Sequence, residues 1–234
     1  MNVGIILAAG SGSRLGGDTP KQFLRVAGKM VIEHTVEVFE RHPGIDVIVI
    51  VTNPGNVCFV EEIVSRNGYS KVEAVLPGGA ERYHSSLAAI KHFTDDDTKM
   101  IFHDAVRPMV TERIITDCID ALDRFNAADV VIPTTDTIIQ ADPEDNTIAS
   151  VPPRALLRNG QTPQAFRLGT IRRAYEKAML DPALRATDDC GIVKKYLPEE
   201  KIYLVSGEVS NMKITYKEDL PFIEKLLLGR EEAQ

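Results

Sequence analysis

The sequence has no tryptophan, only three cysteines, and fewer basic than acidic residues. Cys58, Cys118 and Cys190 lie far apart and form no C-x-x-C pair, which argues against a disulfide framework and a zinc site. Because 27 Lys and Arg residues face 34 Asp and Glu residues, the formal charge is -7. We therefore expect no general affinity for nucleic acid or acidic membranes, and an anionic ligand must meet a local cluster of basic side chains.

Long hydrophobic runs are also missing. No apolar stretch approaches the roughly 18 residues of a membrane span, and the first ten residues carry no basic leader. These residues predict a first strand, and the unpaired cysteines predict a reducing, cytoplasmic location. Hydrophobic residues make up 44% of the 234 residues, which is enough for a substantial core, and we expect a single domain over residues 1–234.

Short apolar runs alternate with segments of helical period along most of the chain, which predicts an α/β fold: a three-layer, Rossmann-like parallel sheet. The predicted strands are Val3–Leu7, Val47–Thr52, Lys71–Val75, Met100–His103, Asp129–Pro133 and Ile202–Val205. The predicted helices are Val31–Arg41, Val57–Asn67, Ser85–Phe93, Glu112–Phe125, Leu168–Leu180, Asp188–Lys195 and Lys217–Leu228.

The alternation of strand and helix patterns stops after Thr135. Two short apolar segments, Thr137–Ile139 and Thr147–Ile148, flank the turn-rich stretch Asp142–Asn146, which predicts a hairpin. Such a hairpin is marginally stable alone, so we expect an arm at about residues 136–158 that packs on its copy in a second subunit.

A glycine-rich loop with two basic residues follows the first strand. Small residues and glycines let backbone N–H groups approach phosphate oxygens, and Arg14 and Lys21 add two positive charges. A dinucleotide fingerprint would need glycine in place of Leu15, and the Gly-Lys-Ser/Thr of a P-loop is absent. The loop therefore predicts a polyphosphate site of another kind.

Four further segments follow predicted strands or lie near them, where an open α/β sheet binds ligands. Gly79 and Ser85 could line a base or ribose, although a plain helix N-terminus explains them as well. Asp104 ends a strand and is placed to hold Mg²⁺ or a sugar hydroxyl, with Arg107 able to hold an anion, unless the two form only a structural pair. Arg154 and Lys213 bring one more positive charge each, with an exposed strand face as the plainer interpretation of Lys213.

Several motifs together resemble one enzyme family, the cytidylyltransferases that make CDP-alditols. The motifs are L-A-A-G-S-G-S-R-L-G, P-G-G-x-x-R-x-x-S, H-D-A-V-R-P, Q-T-P-Q-x-F, T-D-D and N-M-K-I-T. The family comprises the enzymes acting on 2-C-methyl-D-erythritol 4-phosphate and on ribitol 5-phosphate. The resemblance extends from Val3 to about Leu220 and implies a nucleotidyltransferase fold, a homodimer joined through the arm, CTP and an alditol phosphate as substrates, and Mg²⁺ as cofactor.

The resemblance also assigns roles to residues by position. It implies catalytic roles for Arg14, Lys21 and Lys213, and a metal-binding role for Asp104. It implies CTP binding by Ala8, Ala9, Gly10, Ser11, Gly12, Ser13, Gly79, Arg82, Ser85 and Asp104. It implies alditol phosphate binding by Arg107, Thr137, Arg154, Thr162 and Thr187.

The acceptor is the open question within the family. Val106 stands where the methylerythritol branch commonly has alanine, and Cys190 follows T-D-D where that branch has Ala-Ser, so we favour ribitol 5-phosphate. T-D-D itself and Ala8-Ala9-Gly10 suit the methylerythritol branch, which stays the alternative. A sugar 1-phosphate nucleotidyltransferase would share the loop but lack N-x-K-I-T and H-D-A-x-R-P. A non-catalytic nucleotide sensor would have damaged basic residues, whereas Arg14, Lys21 and Lys213 are all present.

Overall fold

The computed structural model describes residues 1–10 and 19–231, which form eleven strands and seven α-helices. The strands are β1 Asn2–Ala8, β2 Arg25–Val26, β3 Lys29–Met30, β4 Val47–Thr52, β5 Val72–Pro77, β6 Lys99–Asp104, β7 Ala127–Pro133, β8 Gln140–Ala141, β9 Ile148–Ser150, β10 Arg158–Arg167 and β11 Ile202–Ser206. The helices are α1 Val31–Arg41, α2 Val57–Asn67, α3 Arg82–His92, α4 Glu112–Ala121, α5 Leu168–Ala178, α6 Asp189–Tyr196 and α7 Asp219–Glu231.

Seven strands form the central sheet in the order β11-β7-β10-β6-β1-β4-β5. β1 pairs in parallel with both β4 and β6, which aligns the carboxyl ends of these strands at one edge. β10 is inserted between β6 and β7 and runs antiparallel to both. The start of β10 therefore lies at the same edge as the ends of β1 and β6.

Alternation along the central strands sends apolar side chains into two layers of core. Ile6, Ile48 and Ile50 face the layer formed by α1, α2 and α4. Ile5 and Val49 face the layer formed by α3, α5 and α6. The α/β class and its three layers, predicted from the sequence, are confirmed.

Two glycines help to define the positions of α1 and α2. A Cβ at Gly4 of β1 would lie 2.6 Å from a ring carbon of Phe39, so glycine there lets α1 pack directly on the strand. α2 ends at Asn67, and the next residue, Gly68, adopts the left-handed conformation with φ of 65° and caps the helix. The predicted bounds of α1 and α2 are confirmed to the residue.

The sequence prediction was wrong about β10 and about uniformly parallel pairing. Residues 158–167 contain Gly160 and Pro163 among polar residues, a composition typical of a loop. They form a strand because they pair with β6 on one side and β7 on the other, and the buried side chain of Gln164 donates to Asp129 at 3.1 Å and to Asp188 at 2.9 Å. Smaller corrections are an earlier start of α3, at Arg82, and an earlier end of α4, at Ala121.

The arm between β7 and β10 is built from very little regular structure. Its ladder pairs only Gln140 with Ser150 and Ala141 with Ile148, so Thr137–Ile139, predicted as a strand, is not one. The turn is closed by the Asp142 N–H, which donates to the Thr147 carbonyl oxygen at 2.9 Å. Five of the larger apolar side chains of the arm, Ile138, Ile139, Ile148, Val151 and Leu156, are 42–80% exposed.

Within residues 1–10 and 19–231, no helix has the length and apolar character needed to cross a membrane.

Candidate active site

A cavity of about 350 Å³ opens at the sheet edge where β1, β5 and β6 end. Ligands of open α/β sheets bind at this edge. Nine of the residues assigned by resemblance line it: Ala8, Ala9, Gly10, Lys21, Gly79, Arg82, Ser85, Asp104 and Lys213. Leu7, Gln22, Asn53, Ala80, Glu81 and Val106 complete the wall. Ser11, Gly12, Ser13 and Arg14 lie outside the described residues.

Glycine at the end of β5 allows two loops to meet at the cavity. A Cβ at Gly78 would lie 2.5 Å from the Ser85 hydroxyl oxygen and 2.9 Å from the Ala9 Cβ. A larger residue would thus push α3 away from the end of β1. At Gly10, by contrast, an added Cβ would meet no atom of the described residues within 4 Å.

Lys21 and Gln22 tie the glycine-rich segment to the rest of the site. The buried Gln22 amide donates to the carbonyl oxygens of Ala8 at 2.7 Å and Gly10 at 3.2 Å. The buried Lys21 ammonium donates to the Ile214 carbonyl oxygen at 3.2 Å. Two distant segments of sequence are thereby held together at the cavity.

Asp104 is surrounded by positive charge. Its carboxylate lies 2.8 Å from Lys213 Nζ, 3.6 Å from Arg107 Nε and 3.8 Å from Arg82 Nε. Burial favours the neutral acid, but the charges of Lys213, Arg82 and Arg107 outweigh it and hold the pKa of Asp104 well below its usual range. The carboxylate is therefore ionised at any pH near neutrality.

His103 and Thr162 form a buried support beneath Asp104. The Thr162 hydroxyl accepts a hydrogen bond from the Asp104 N–H at 3.1 Å and donates to His103 Nδ1 at 2.9 Å. The Nε2–H of His103 then donates to the Arg107 carbonyl oxygen at 3.0 Å. Burial lowers the pKa of His103 to about 4, which agrees with the neutral ring that this arrangement requires.

The segment around Lys213 is an irregular loop fastened to the Asp104–Arg107 turn. Arg107 Nη1 donates to the Asn211 carbonyl oxygen at 2.8 Å, and the Asn211 amide donates to the Thr162 carbonyl oxygen at 2.8 Å. The Ile214 N–H donates to the Val106 carbonyl oxygen at 2.9 Å. These bonds explain how Lys213 reaches Asp104 from 109 residues away in sequence.

The residues assigned to the alditol phosphate are more dispersed. Thr162 is buried and Arg107 nearly so, whereas Thr137, Arg154 and Thr187 are exposed, and the cavity wall contains none of the five. Arg154 Nη1 donates to the Thr135 carbonyl oxygen at 2.9 Å, at the base of the arm. The structure thus gathers at the cavity the predicted nucleotide residues that it describes, whereas the predicted acceptor residues lie outside the cavity wall, with Thr137 and Arg154 on the arm.

Two buried residues near the site had no role in the sequence analysis. Asp189 and Tyr175 are 0% and 1% exposed, and their side chains are joined by a 2.5 Å hydrogen bond. Asp189 also binds Arg82, which lines the cavity. In the sequence, Asp189 follows the predicted helix start Asp188, so it is indistinguishable from an ordinary acidic residue in a first turn.

The fold and this cationic cavity define an α/β nucleotidyltransferase. The chain belongs to the IspD family, since the sequence model of that family, described as "2-C-methyl-D-erythritol 4-phosphate cytidylyltransferase", matches residues 2–228. The resemblance drawn from the motifs is thus confirmed: the chain is a cytidylyltransferase that uses CTP.

Similar proteins of known name come from both branches of the family. A Haemophilus influenzae bifunctional ribulose 5-phosphate reductase/CDP-ribitol pyrophosphorylase is 46% identical over 98% of the chain, which spans 48% of that relative's length. A Thermobifida fusca 2-C-methyl-D-erythritol 4-phosphate cytidylyltransferase is 45% identical over 95% of the chain and 91% of its own length. A solved 4-diphosphocytidyl-2C-methyl-D-erythritol synthase from Anaerococcus prevotii superimposes with a TM-score of 0.85 at 28% identity, covering 97% of this chain and 96% of that one.

Proposed function

We propose that this enzyme transfers CMP from CTP to ribitol 5-phosphate, giving CDP-ribitol and pyrophosphate. The observation that carries the choice of acceptor is Val106, which lines the cavity in the turn between Asp104 and Arg107. Valine in place of alanine adds two methyl groups to the wall, which disfavours an acceptor with a methyl branch. The 46% identity to a relative named as a CDP-ribitol pyrophosphorylase supports the same choice.

The reaction itself requires charge and positioning more than proton transfer. A phosphate oxygen of the acceptor attacks the α-phosphorus of CTP, the new P–O bond forms, and the bond to the β-phosphate breaks in line. Pyrophosphate leaves with the electron pair. Because the attacking phosphate is already anionic near pH 7, the reaction needs no general base. His103, which is neutral and hydrogen-bonded through both ring nitrogens, has no such role in this mechanism.

Lys213 and Lys21 are the described side chains that we assign to screening the phosphates. Lys213 is bound to Asp104 at 2.8 Å, and its side chain is 37% exposed, so its ammonium borders both the carboxylate and the open cavity. Lys21 is held at the same wall through Ile214. With Arg14, assigned from the sequence, they would offset the repulsion between a dianionic acceptor and a triphosphate.

Mg²⁺ is proposed as the cofactor, bound by Asp104 and by the phosphates of CTP. Among the described residues there is no group of three or more His, Cys, Asp or Glu side chains that could cage a metal. An ionised carboxylate at the cavity fits Mg²⁺ nonetheless, because this ion is commonly held by one or two carboxylates together with substrate phosphates. When bound, the ion would add positive charge at the reacting phosphates.

The arm provides the basis for proposing a homodimer. Its exposed isoleucines need a partner surface, and a second copy would bring its own Thr137 and Arg154. We place these side chains, with Thr187 and Arg107, around the alditol phosphate, with some of them supplied across the dimer. A cytoplasmic location is proposed with it, because all three cysteines are free thiols.

The test compares the two acceptors with CTP and Mg²⁺ by measuring pyrophosphate release. We expect ribitol 5-phosphate to give a kcat/KM about tenfold higher than 2-C-methyl-D-erythritol 4-phosphate. Val106→Ala should narrow this ratio by improving the branched acceptor, whereas the exposed Val209→Ala should leave the ratio unchanged.

The alternative acceptor is favoured by the family description and by the Thermobifida relative. A tenfold preference of the wild-type enzyme for 2-C-methyl-D-erythritol 4-phosphate would establish that alternative. An acceptor ratio unaffected by Val106→Ala would remove Val106 as the determinant.

A further inference from the structure

Arg82 is held between two carboxylates at unequal distances. Its Nη1 lies 2.6 Å from Asp189 Oδ2, whereas its Nε lies 3.8 Å from Asp104 Oδ1. Within the described part of the chain, the third guanidinium nitrogen, Nη2, is buried and has no hydrogen-bond partner. The tight contact is therefore with Asp189, and one buried donor is left for another acceptor.

Asp189 is itself fixed from several sides. Its second carboxylate oxygen accepts a hydrogen bond from the Tyr175 hydroxyl at 2.5 Å, and its backbone N–H donates to Gln164 Oε1 at 3.0 Å. Asp189 is 0% exposed and Tyr175 is 1% exposed, so neither side chain has room to turn. The carboxylate thus presents one oxygen to Arg82 in a fixed orientation.

The charge balance explains why this anchoring matters. Asp104 faces Lys213, Arg107 and Arg82 at once, so these three cations compete for a single carboxylate. Without the charge of Asp189, Arg82 would be drawn toward Asp104 Oδ1, 3.8 Å from its Nε, and away from its present place at the cavity wall. Asp189 keeps Arg82 in place while remaining outside the cavity wall itself.

We propose that Asp189, oriented by Tyr175, is a positioning residue that holds the Arg82 guanidinium at the cavity wall, where it binds CTP. The inference rests on the assignment of CTP to this cavity. It assigns to the second aspartate of T-D-D a role at the nucleotide, although Thr187 of the same motif is assigned to the acceptor.

The experiment measures the dissociation constant for CTP with Mg²⁺ by titration calorimetry, together with steady-state kinetics. Asp189→Asn preserves the volume and removes the charge, and we expect it to weaken CTP binding about tenfold. We expect KM for CTP to rise with it, whereas kcat and the KM of the acceptor stay within about threefold. Tyr175→Phe keeps the ring and should weaken CTP binding about two- to threefold.

A double-mutant cycle and a matched control separate positioning from general damage. In an Arg82→Met background, Asp189→Asn should weaken CTP binding no further, because Asp189 acts through Arg82. Tyr196→Phe removes a comparable 2.6 Å hydrogen bond to an aspartate, Asp181, and should leave CTP binding unchanged. Thermal unfolding and circular dichroism verify that each variant folds, and Tyr175→Phe carries the test if Asp189→Asn does not fold.

Unchanged CTP affinity in folded Asp189→Asn or Tyr175→Phe, or effects of Asp189→Asn and Arg82→Met that simply multiply, would overturn the proposal. A fall in kcat with unaltered CTP affinity would also overturn it, since it would indicate only a smaller active fraction. The choice of acceptor is tested separately, because CTP binding is measured without acceptor and the kinetics can use whichever alditol phosphate is turned over.

Discussion

Isoleucine in the central sheet and isoleucine in the arm experience opposite surroundings. Ile5 and Ile6 of β1 are 0% exposed, whereas Ile139 and Ile148 of the arm are 52% and 63% exposed. The sheet is stabilised by burying its own side chains against two layers of helix. The arm has only a short ladder and a turn to hold its shape. The body that carries the cavity is therefore stabilised by its own core, whereas the arm keeps its isoleucines exposed and gains little from burial within this chain.

The largest effect that we expect is a loss of turnover when Lys213 is removed from the cavity. Lys213→Ala should lower kcat by about 100-fold or more, because Lys213 would act on the charge that develops in the transition state. Thermal unfolding should change little, since the Lys213 side chain is 37% exposed. Steady-state kinetics with CTP check the rate, with Lys225→Ala as the control that should retain wild-type turnover. A Lys213→Ala enzyme with an unaltered rate would exclude Lys213 from the mechanism.

A smaller effect, on oligomeric state and on kcat/KM for the acceptor, is expected when charged residues replace isoleucines of the arm. Ile139→Asp combined with Ile148→Asp should convert a dimer to a monomer and lower kcat/KM for the acceptor about tenfold, because the arm would supply acceptor residues across the interface. The affinity for CTP should stay the same. Light scattering gives the mass, and Leu180→Asp, at a side chain 84% exposed outside the arm, should leave it unchanged. A fully active wild-type monomer would contradict both the dimer and the shared acceptor site.

The smallest effect that we expect is a change in stability at Asp129, which lies on β7, the strand that leads from the sheet into the arm. Burial raises the pKa of Asp129 to about 6; the hydrogen bond from Gln164 opposes this rise, and the charge of Asp188 adds to it. The native state therefore binds a proton more tightly than the unfolded chain does, and this contribution to stability is lost as pH rises from about 4 through 6. Asp129→Asn should stabilise the protein by about 1–2 kcal/mol at pH 7.5 and not at pH 4.

Thermal unfolding followed across this pH range checks the Asp129 prediction. A gain of about 1–2 kcal/mol corresponds to a few degrees in Tm for a chain of this size. The control is Asp120→Asn at an exposed position, which should leave the pH profile unchanged. A gain of the same size at pH 4 and pH 7.5 would show that the charge of Asp129 is not its cause.

The sequence predicted the parts of the fold that local chemistry determines. α1 and α2 have clear apolar periods and clear ends, and their bounds were correct. β10 was missed because its stability depends on distant partners: Gln164 reads as a loop residue until Asp129 and Asp188 accept its hydrogen bonds. Composition and periodicity describe neighbours in sequence, and β10 is formed by neighbours in space.

The sequence likewise predicted some residues of the candidate site and not others. Motifs that follow strand ends were expected at one sheet edge, and the structure brings Asp104 and Lys213 together there. The supports behind them were not anticipated. Thr162 was expected to bind the acceptor phosphate, and its hydroxyl bonds to His103 instead. Asp189 and Tyr175, which bond to each other, each resemble ordinary capping or core residues in the sequence. Only the fold shows that their hydrogen bonds end on cavity residues.

The antiparallel course of β10 makes the arm a detachable module. Pro133 at the end of β7 and Arg158 at the start of β10 are already paired neighbours, so the chain leaves the sheet and returns to it at adjacent positions. A short turn could join these two positions without altering the register of the strands. Apart from the acceptor contacts proposed for Thr137 and Arg154, a change in the sequence or length of the arm would therefore leave the pairing of β7 with β10 intact.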